Sequence, residues 1–140
     1  MIAHALFERP LECCGLLAGP LPERPGSMSS EPPPVAPSPV ARVFKRYPLV
    51  NTARSATEYH CADRSLFEAH RDMRRLEFDV LAIYHSHPTT AAVPSRTDLE
   101  RNNYPGAIHF IISLRDDPPV VQGWWLLERA YREAEWEWVD

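Results

Sequence analysis

The sequence has few cysteines, no long apolar run and no excess of basic residues. Its 140 residues include three cysteines and no C-x-x-C pair. A zinc ribbon and a thioredoxin-type site are therefore excluded, and three cysteines are a poor basis for a disulfide framework. No apolar run approaches the roughly 18–20 residues that a membrane-spanning helix needs. Acidic side chains number 19 and basic ones 15, whereas nucleic-acid-binding domains normally have a basic excess. We expect neither a membrane nor a nucleic-acid partner.

The cysteines and residues 1–10 indicate the cellular compartment of the protein. Cys13 and Cys14 are adjacent in an apolar segment, and Cys61 stands alone. Free cysteine is among the most buried residue types, so we predict structural thiols in a reducing compartment. Residues 1–10 have neither a basic n-region nor a long apolar core, so we expect no secretory signal. Both observations predict a cytoplasmic protein.

Proline is the residue type in excess. It accounts for 15 of the 140 residues, about twice its usual share of roughly 5%. Eight of these prolines lie in residues 20–39, together with several serines. A segment so rich in proline cannot form strand ladders, so we expect an exposed loop. The remaining composition is ordinary for a globular protein. We therefore predict a single domain over residues 1–140 with a proline-rich loop insert at about 20–39.

The hydrophobic pattern predicts an α/β fold. Short apolar runs bounded by turn residues indicate strands, and apolar residues near helical spacing indicate helices. The predicted strands cover residues 12–18, 40–47, 78–84, 108–114, 120–127 and 131–139. The predicted helices cover residues 1–8 and 64–77, the latter with Asp63 as N-cap, and a third begins within 94–100. Because strands and helices alternate in the middle and strands follow, we predict a mixed sheet.

The stretch from His85 to Asp98 has the residue types of a metal site. His85 and His87 are two residues apart, so on a strand their side chains point to the same face. Two imidazoles supply half of a tetrahedral zinc site, and a third protein ligand with an open water position makes such a site catalytic. Asp98, in the first turn of a helix, could be that third ligand. Alternatively, Ser95-x-x-Asp98 is only a helix capping box with Asp in place of Glu, which needs no metal.

These residues resemble the motif of the JAMM (MPN+) metalloprotease family. His85-x-His87 is followed by seven residues, Ser95, two residues and Asp98, which is the spacing of that motif. Upstream, Glu12-Cys-Cys-Gly-Leu-Leu resembles the family's E-x-x-G-L strand, which carries the catalytic glutamate. The resemblance covers residues 5–128 apart from the proline-rich insert. It is strongest to short prokaryotic members, some of which act with ubiquitin-like sulfur carriers.

The resemblance implies both a fold and a cofactor. The fold would be a JAB/MPN-type curved mixed β-sheet flanked by helices, similar to the cytidine deaminase architecture. One zinc ion per chain would be held by His85, His87 and Asp98, and would lower the pKa of its bound water toward ~7. A zinc deaminase is a poor alternative, because the chain lacks the H-x-E and C-x-x-C signatures of that class.

The resemblance also implies roles for two further residues. Glu12 would accept the proton of the attacking water and pass it to the leaving amine. The hydroxyl of Ser95 would donate a hydrogen bond to the developing oxyanion, or serve only as the helix cap, or both. Glu8 is the competitor for the role of Glu12, but it precedes Pro10 and lies outside the predicted strand.

The implied function is hydrolysis of an amide bond at the C-terminal Gly-Gly of a ubiquitin-like or sulfur-carrier protein. The leaving group would be a small one such as cysteine, or a lysine in an isopeptide bond. Only eight residues separate Asp98 from Ala107, whereas eukaryotic deubiquitinases carry insertions there that bind ubiquitin. Cleavage of a lysine-linked isopeptide bond is therefore the weaker of the two predictions. The alternatives are a non-catalytic MPN-type interaction scaffold and a small-peptide metallopeptidase without a protein partner. Scaffolds usually lack one or more ligands, whereas every motif position is filled here.

The other polar residues near these motifs have structural interpretations. Four histidines without ligand spacing are predicted to lie at the surface or in the core with satisfied hydrogen bonds: His4, His60, His70 and His109. Ser86 alternates with the two motif histidines along the strand, so it should face away from them and be structural.

Overall fold

The computed structural model describes residues 1–22 and 40–139, and in this part of the chain three helices flank a six-stranded mixed sheet. The strands are β1 (Cys14–Gly19), β2 (Lys45–Leu49), β3 (Asp79–His87), β4 (Ile108–Ser113), β5 (Val120–Leu126) and β6 (Tyr131–Glu133). The helices are α1 (Ile2–Glu8), α2 (Asp63–Leu76) and α3 (Arg96–Glu100). The predicted α/β class with a mixed sheet is confirmed.

The strand order explains how the motif segment returns to the sheet. Across the sheet the order is β2-β1-β3-β4-β5-β6. Strands β3 and β4 are parallel, and every other neighbouring pair in this sheet is antiparallel. Parallel neighbours need a crossover connection, and the crossover between β3 and β4 contains α3. The motif segment is therefore the link between two central strands.

Alternate residues of the central strands pack on opposite faces of the sheet. On one face α1 packs through Ala5 in a buried cluster with Cys13, Leu17, Ala82, Tyr84, Phe110, Ile112 and Leu114. On the other face α2 packs through Ala69 and Met73 in a cluster with Cys14, Leu16, Ala18, Tyr47, Leu49 and Ile83. His85 and His87 follow Ile83 by two and four residues on β3, so their side chains lie on the same face as that of Ile83. This is the face that α2 covers.

The predicted strand over residues 40–47 is wrong in its position. The strand observed there is β2, which begins at Lys45 and includes Pro48. Proline cannot donate to a strand ladder, so it is confined to edge strands. In the described sheet β2 is an outermost strand and pairs only with β1, which is why it accommodates Pro48.

Two further predicted boundaries are wrong. The N-cap of α2 is Ala62, without a side-chain cap, and Asp63 is the first helical residue, where its charge still complements the helix dipole. The last strand ends at Glu133 rather than at residue 139. Beyond it the Ala134 N–H donates to the Gly123 carbonyl of β5 at 2.9 Å, and the ring of Trp136 packs edge-on against Phe110, with centroids 5.1 Å apart.

The proline-rich insert stays a prediction. Residues 23–39, which make up most of it, lie outside the described residues. In the ranges that are described, no helix combines the length and apolar character needed to cross a bilayer. All three cysteines are free thiols, with Cys13 and Cys14 buried and Cys61 partly exposed.

Candidate metal centre and active site

The two motif histidines end the central strand β3. Both are buried, with 1% of His85 and 5% of His87 exposed. Their side chains leave the strand on the same face, and their Nε2 atoms are 3.1 Å apart. The predicted convergence of the two imidazoles is therefore present in the structure.

Helix α3 brings the carboxylate of Asp98 to these histidines. Its Oδ1 lies 3.1 Å from His85 Nε2, and its Oδ2 lies 3.4 Å from His87 Nε2. Ser95 is the N-cap of α3: its Oγ accepts from the Asp98 backbone N–H at 3.1 Å, and its own N–H donates to Asp98 Oδ2 at 2.7 Å. The carboxylate of Asp98 therefore takes part both in the capping box of α3 and in the cluster with His85 and His87.

The protonation of the cluster suits a divalent cation. His87 Nδ1 lies 2.8 Å from the Ala91 carbonyl, to which it can only donate, so its Nε2 presents a lone pair in the neutral ring. Burial raises the pKa of Asp98, but hydrogen bonds to His85 and His87 outweigh it and hold that pKa well below its ordinary value. Two imidazole nitrogens and a carboxylate oxygen lie within 4.8 Å of one another, and this is a donor set that zinc takes in proteins. These three residues could hold a metal ion.

Glu12 reaches the same face from the neighbouring strand. Cys14 pairs with His85, and Ser86 N–H donates to the Cys13 carbonyl at 3.1 Å. Continuing this antiparallel register places Glu12 opposite His87. Strand β1 itself begins at Cys14, so Glu12 precedes the strand in which it was predicted.

Glu12 is buried, with 4% of the residue exposed. Burial is the main cause that raises its pKa to about 8; the charge of His87 opposes this rise, and the charges of Asp98 and Glu58 contribute to it. Its backbone is fixed by the following loop: its N–H donates to the Ser55 carbonyl at 2.8 Å, and the amide of Asn51 donates to its carbonyl at 2.9 Å. A buried carboxyl group is thus held beside His85, His87 and Asp98, which form the candidate metal-ligand cluster.

Gly15 leaves room on β1 for the ring of Tyr84. A Cβ atom at Gly15 would lie 2.3 Å from ring atoms of Tyr84 on the facing strand. A side chain here would displace this buried ring from the face of the sheet that α1 covers. The glycine of the E-x-x-G pattern therefore has a packing role.

Glu8 does not share these surroundings. It lies in α1, the helix on the opposite face of the sheet, and its carboxylate is 3.8 Å from His4 Nε2 of the same helix. Ser86 also points away from the metal-ligand cluster, since its Oγ accepts from the Cys13 N–H at 2.8 Å. The structural role predicted for Ser86 is confirmed.

The structure adds two residues that the motif did not indicate. Tyr59 stacks on the ring of His85, with centroids 4.9 Å apart and planes 30° apart. His109 of β4 is buried, and its Nε2 has no hydrogen-bond partner. The prediction that every other histidine is exposed or satisfied is therefore wrong for His109. Both residues, with Asp98, line a cleft of about 330 Å³. The strand register places His109 there, whereas Tyr59 belongs to a loop without a motif.

A comparison with family models agrees with this geometry. The model described as prokaryotic homologs of the JAB domain matches residues 1–127. The chain belongs to this family. The JAMM-type resemblance of its motifs is thereby confirmed, and the sheet with its buried His85, His87 and Asp98 is the JAB domain of this chain.

Two relatives of this JAB-family chain have established names. Over 116 residues the chain is 34% identical to the CysO-cysteine peptidase of Mycobacterium tuberculosis. The aligned region covers 83% of this chain and 68% of that protein. Over 113 residues the chain is 33% identical to the desampylase of Haloferax volcanii. The aligned region covers 78% of this chain and 67% of that protein. The chain is a peptidase-type enzyme, as predicted.

Solved structures show the same fold. A protein from Desulfitobacterium hafniense superposes with a TM-score of 0.76 at 32% identity, covering 96% of this chain and 83% of that one. A protein from Salinibacter ruber superposes with a TM-score of 0.62 at 24% identity, covering 96% of this chain and 81% of the other, and shows the fold alone.

Proposed function

We propose that this JAB-family chain is a zinc peptidase that hydrolyses the amide bond after the C-terminal Gly-Gly of a ubiquitin-like or sulfur-carrier protein, releasing cysteine or another small amine. The observation that carries the proposal is the convergence of His85, His87 and Asp98 on one buried face, with Glu12 beside them. Three protein ligands of the N,N,O type, with a fourth position left for water or substrate, are typical of catalytic zinc.

Each residue has a role in this proposal. A zinc ion bound by the three ligands supplies Lewis-acid activation of a water molecule and of the scissile carbonyl. Glu12 accepts a proton from the attacking water and delivers it to the leaving amine. The pKa of Glu12 is raised to about 8, and a nearby cation would lower it toward ~7. A pKa close to the working pH suits a group that both accepts and donates a proton.

Ser95 is proposed to stabilise the oxyanion. Its Oγ already accepts the Asp98 N–H, so the hydroxyl proton remains available to donate elsewhere. Directed at the carbonyl oxygen of the substrate, this proton would stabilise the charge that develops there.

The proposed substrate class follows from the relatives and from the short α3–β4 connection. The name CysO-cysteine peptidase describes removal of cysteine from a protein, and this relative covers most of the chain. An extended Gly-Gly tail can lie beside a strand and bind through its main chain, and glycines allow close approach to a buried centre. Only eight residues separate Asp98 from Ala107, which leaves little chain to grip a second protein domain beyond the scissile bond.

The test compares substrates with the zinc-loaded protein. A sulfur carrier extended past Gly-Gly by cysteine, di-ubiquitin and a short unfolded peptide are incubated separately and followed by mass spectrometry. We expect rapid loss of cysteine from the carrier and slow cleavage of di-ubiquitin. Efficient cleavage of di-ubiquitin with an intact carrier would reverse the substrate preference, and cleavage of the peptide alone would exclude a protein substrate.

A further inference from the structure

Two buried nitrogens near the metal-ligand cluster have no partner. Within residues 1–22 and 40–139, His85 Nδ1 and His109 Nε2 are the buried side-chain nitrogen or oxygen atoms that lack a hydrogen bond. An unsatisfied buried polar group costs about 1–3 kcal/mol, so native proteins normally pair such groups. Both imidazoles belong to adjacent strands, His85 to β3 and His109 to β4.

The strand register brings the two rings to one face. In the parallel pair of β3 and β4, Ile83 is opposite His109, and His85 is opposite Ile111. Residues two apart on a strand share a face, so His109 is the diagonal neighbour of His85 on the face of the metal-ligand cluster.

The two nitrogens are complementary as donor and acceptor. His85 directs Nε2 at His87 and Asp98, so as a neutral metal ligand it carries its proton on Nδ1. In His109 the buried nitrogen without a partner is Nε2. A neutral imidazole that carries its proton on Nδ1 keeps a lone pair on Nε2 and can accept a hydrogen bond there. One ring therefore offers a buried donor and the other a buried acceptor.

We propose that His109 is a positioning residue for His85, with His85 Nδ1–H joined to His109 Nε2 by a hydrogen bond through one buried water. This link fixes the tautomer and the ring orientation of His85, so that Nε2 is presented to the metal. Buried waters normally join polar groups that are otherwise unsatisfied. Hydrogen bonds to the far nitrogen of a ligating histidine typically change metal affinity by about 10–100-fold. The inference rests on the metal site proposed above.

Three substitutions at His109 separate hydrogen bonding from packing. His109→Gln keeps an amide near the position of Nε2, whereas His109→Asn keeps only a polar group near Nδ1, and His109→Phe keeps only the ring shape. His60→Asn, at an exposed histidine, is the matched control. Zinc dissociation constants are measured by competition with a chelator, and the His85 tautomer is read by long-range ¹H–¹⁵N NMR in the metal-free and zinc-loaded proteins.

We expect the Asn and Phe variants to bind zinc about 10–100-fold more weakly and to show mixed His85 tautomers. The Gln variant and His60→Asn should stay close to wild type. If the Phe variant does not fold, the Asn and Gln pair still decides the question. Wild-type affinity in all three variants, or equal loss in all three, overturns the role of His109. A wild-type protein that binds no zinc overturns the metal site itself, and this inference with it.

Discussion

At the residue scale, Glu12 and Glu8 show how surroundings decide the chemistry of identical side chains. Glu12 is buried beside the metal-ligand cluster, and its pKa is raised to about 8, chiefly by burial. Glu8 lies on the far face of the sheet, beside His4. Because the two carboxylates are only four positions apart in sequence, they form a matched pair for mutagenesis.

We predict that Glu12→Gln reduces peptidase turnover by at least ~100-fold, the usual scale for a positioned acid–base group. Zinc content and melting temperature should change little, since glutamine has the same shape and needs no charge partner. Glu8→Gln is the control and should retain turnover. The measurements are steady-state kinetics with the carrier substrate, metal analysis and thermal unfolding. Near wild-type turnover in Glu12→Gln, with loss in Glu8→Gln, would transfer the role of the proton acceptor to Glu8.

At the scale of secondary-structure elements, Asp72 connects helix α2 to the edge strand β2. Its carboxylate accepts hydrogen bonds from Lys45 and, at 2.7 Å, from the Tyr47 hydroxyl, both on β2, and from Arg75 one turn along the helix. These bonds, led by that of Lys45, hold the pKa of Asp72 below its ordinary value. In the described sheet β2 pairs only with β1, so this link supports its outer side.

We predict that Asp72→Asn lowers the melting temperature at pH 7 and that Glu68→Gln does not. Glu68 is the control on the same helix, where it forms an exposed ion pair with Arg64, and such pairs contribute little. Because the folded-state pKa of Asp72 is lowered, its stabilisation is present above the unfolded value near ~3.9 and is lost as the pH falls below it. Melting curves between pH 7 and pH 2 should therefore converge in acid. A constant difference at every pH would show that the charge is irrelevant.

At the scale of the whole molecule, the segment after β6 covers the face of the sheet that α1 also covers. Trp136 packs on the buried cluster of that face and lies edge-on to Phe110. Gly123 of β5 leaves room for it, since a Cβ there would lie 3.0 Å from the indole. Trp138 packs against Trp136 at 5.1 Å between centroids but is 68% exposed.

We predict that Trp136→Ala lowers the free energy of unfolding by about 2–3 kcal/mol, somewhat less than the 3–5 typical of fully buried aromatic residues. Trp138→Ala should lower it by less than about 1 kcal/mol, because most of that ring is already in water. Urea denaturation of the two variants measures the difference. Equal losses would mean that the two indoles stabilise the sheet as one unit.

The sequence by itself determined the fold class and most of the candidate metal-ligand set. A strand has a side-chain period of two, so His85 and His87 had to share a face once they lay on one strand. The helix that begins after Ser95 required a cap, and the capping box fixes Asp98 in its first turn. These are local properties of the backbone, which short stretches of sequence reveal. The roles of Glu12, Ser95 and the zinc ion stay proposals.

Only the tertiary structure decided which distant residues meet. The pairing of β1 with β3 places Glu12 opposite His87, and the parallel pairing of β3 with β4 places His109 diagonal to His85. The stacking of Tyr59 on His85 brings in a loop that carries no motif. Register between strands follows from packing both faces of the sheet at once, and a shift of one residue would turn every side chain to the other face. No local pattern contains that information, so sequence reasoning found the candidate ligands and Glu12 but missed Tyr59 and His109.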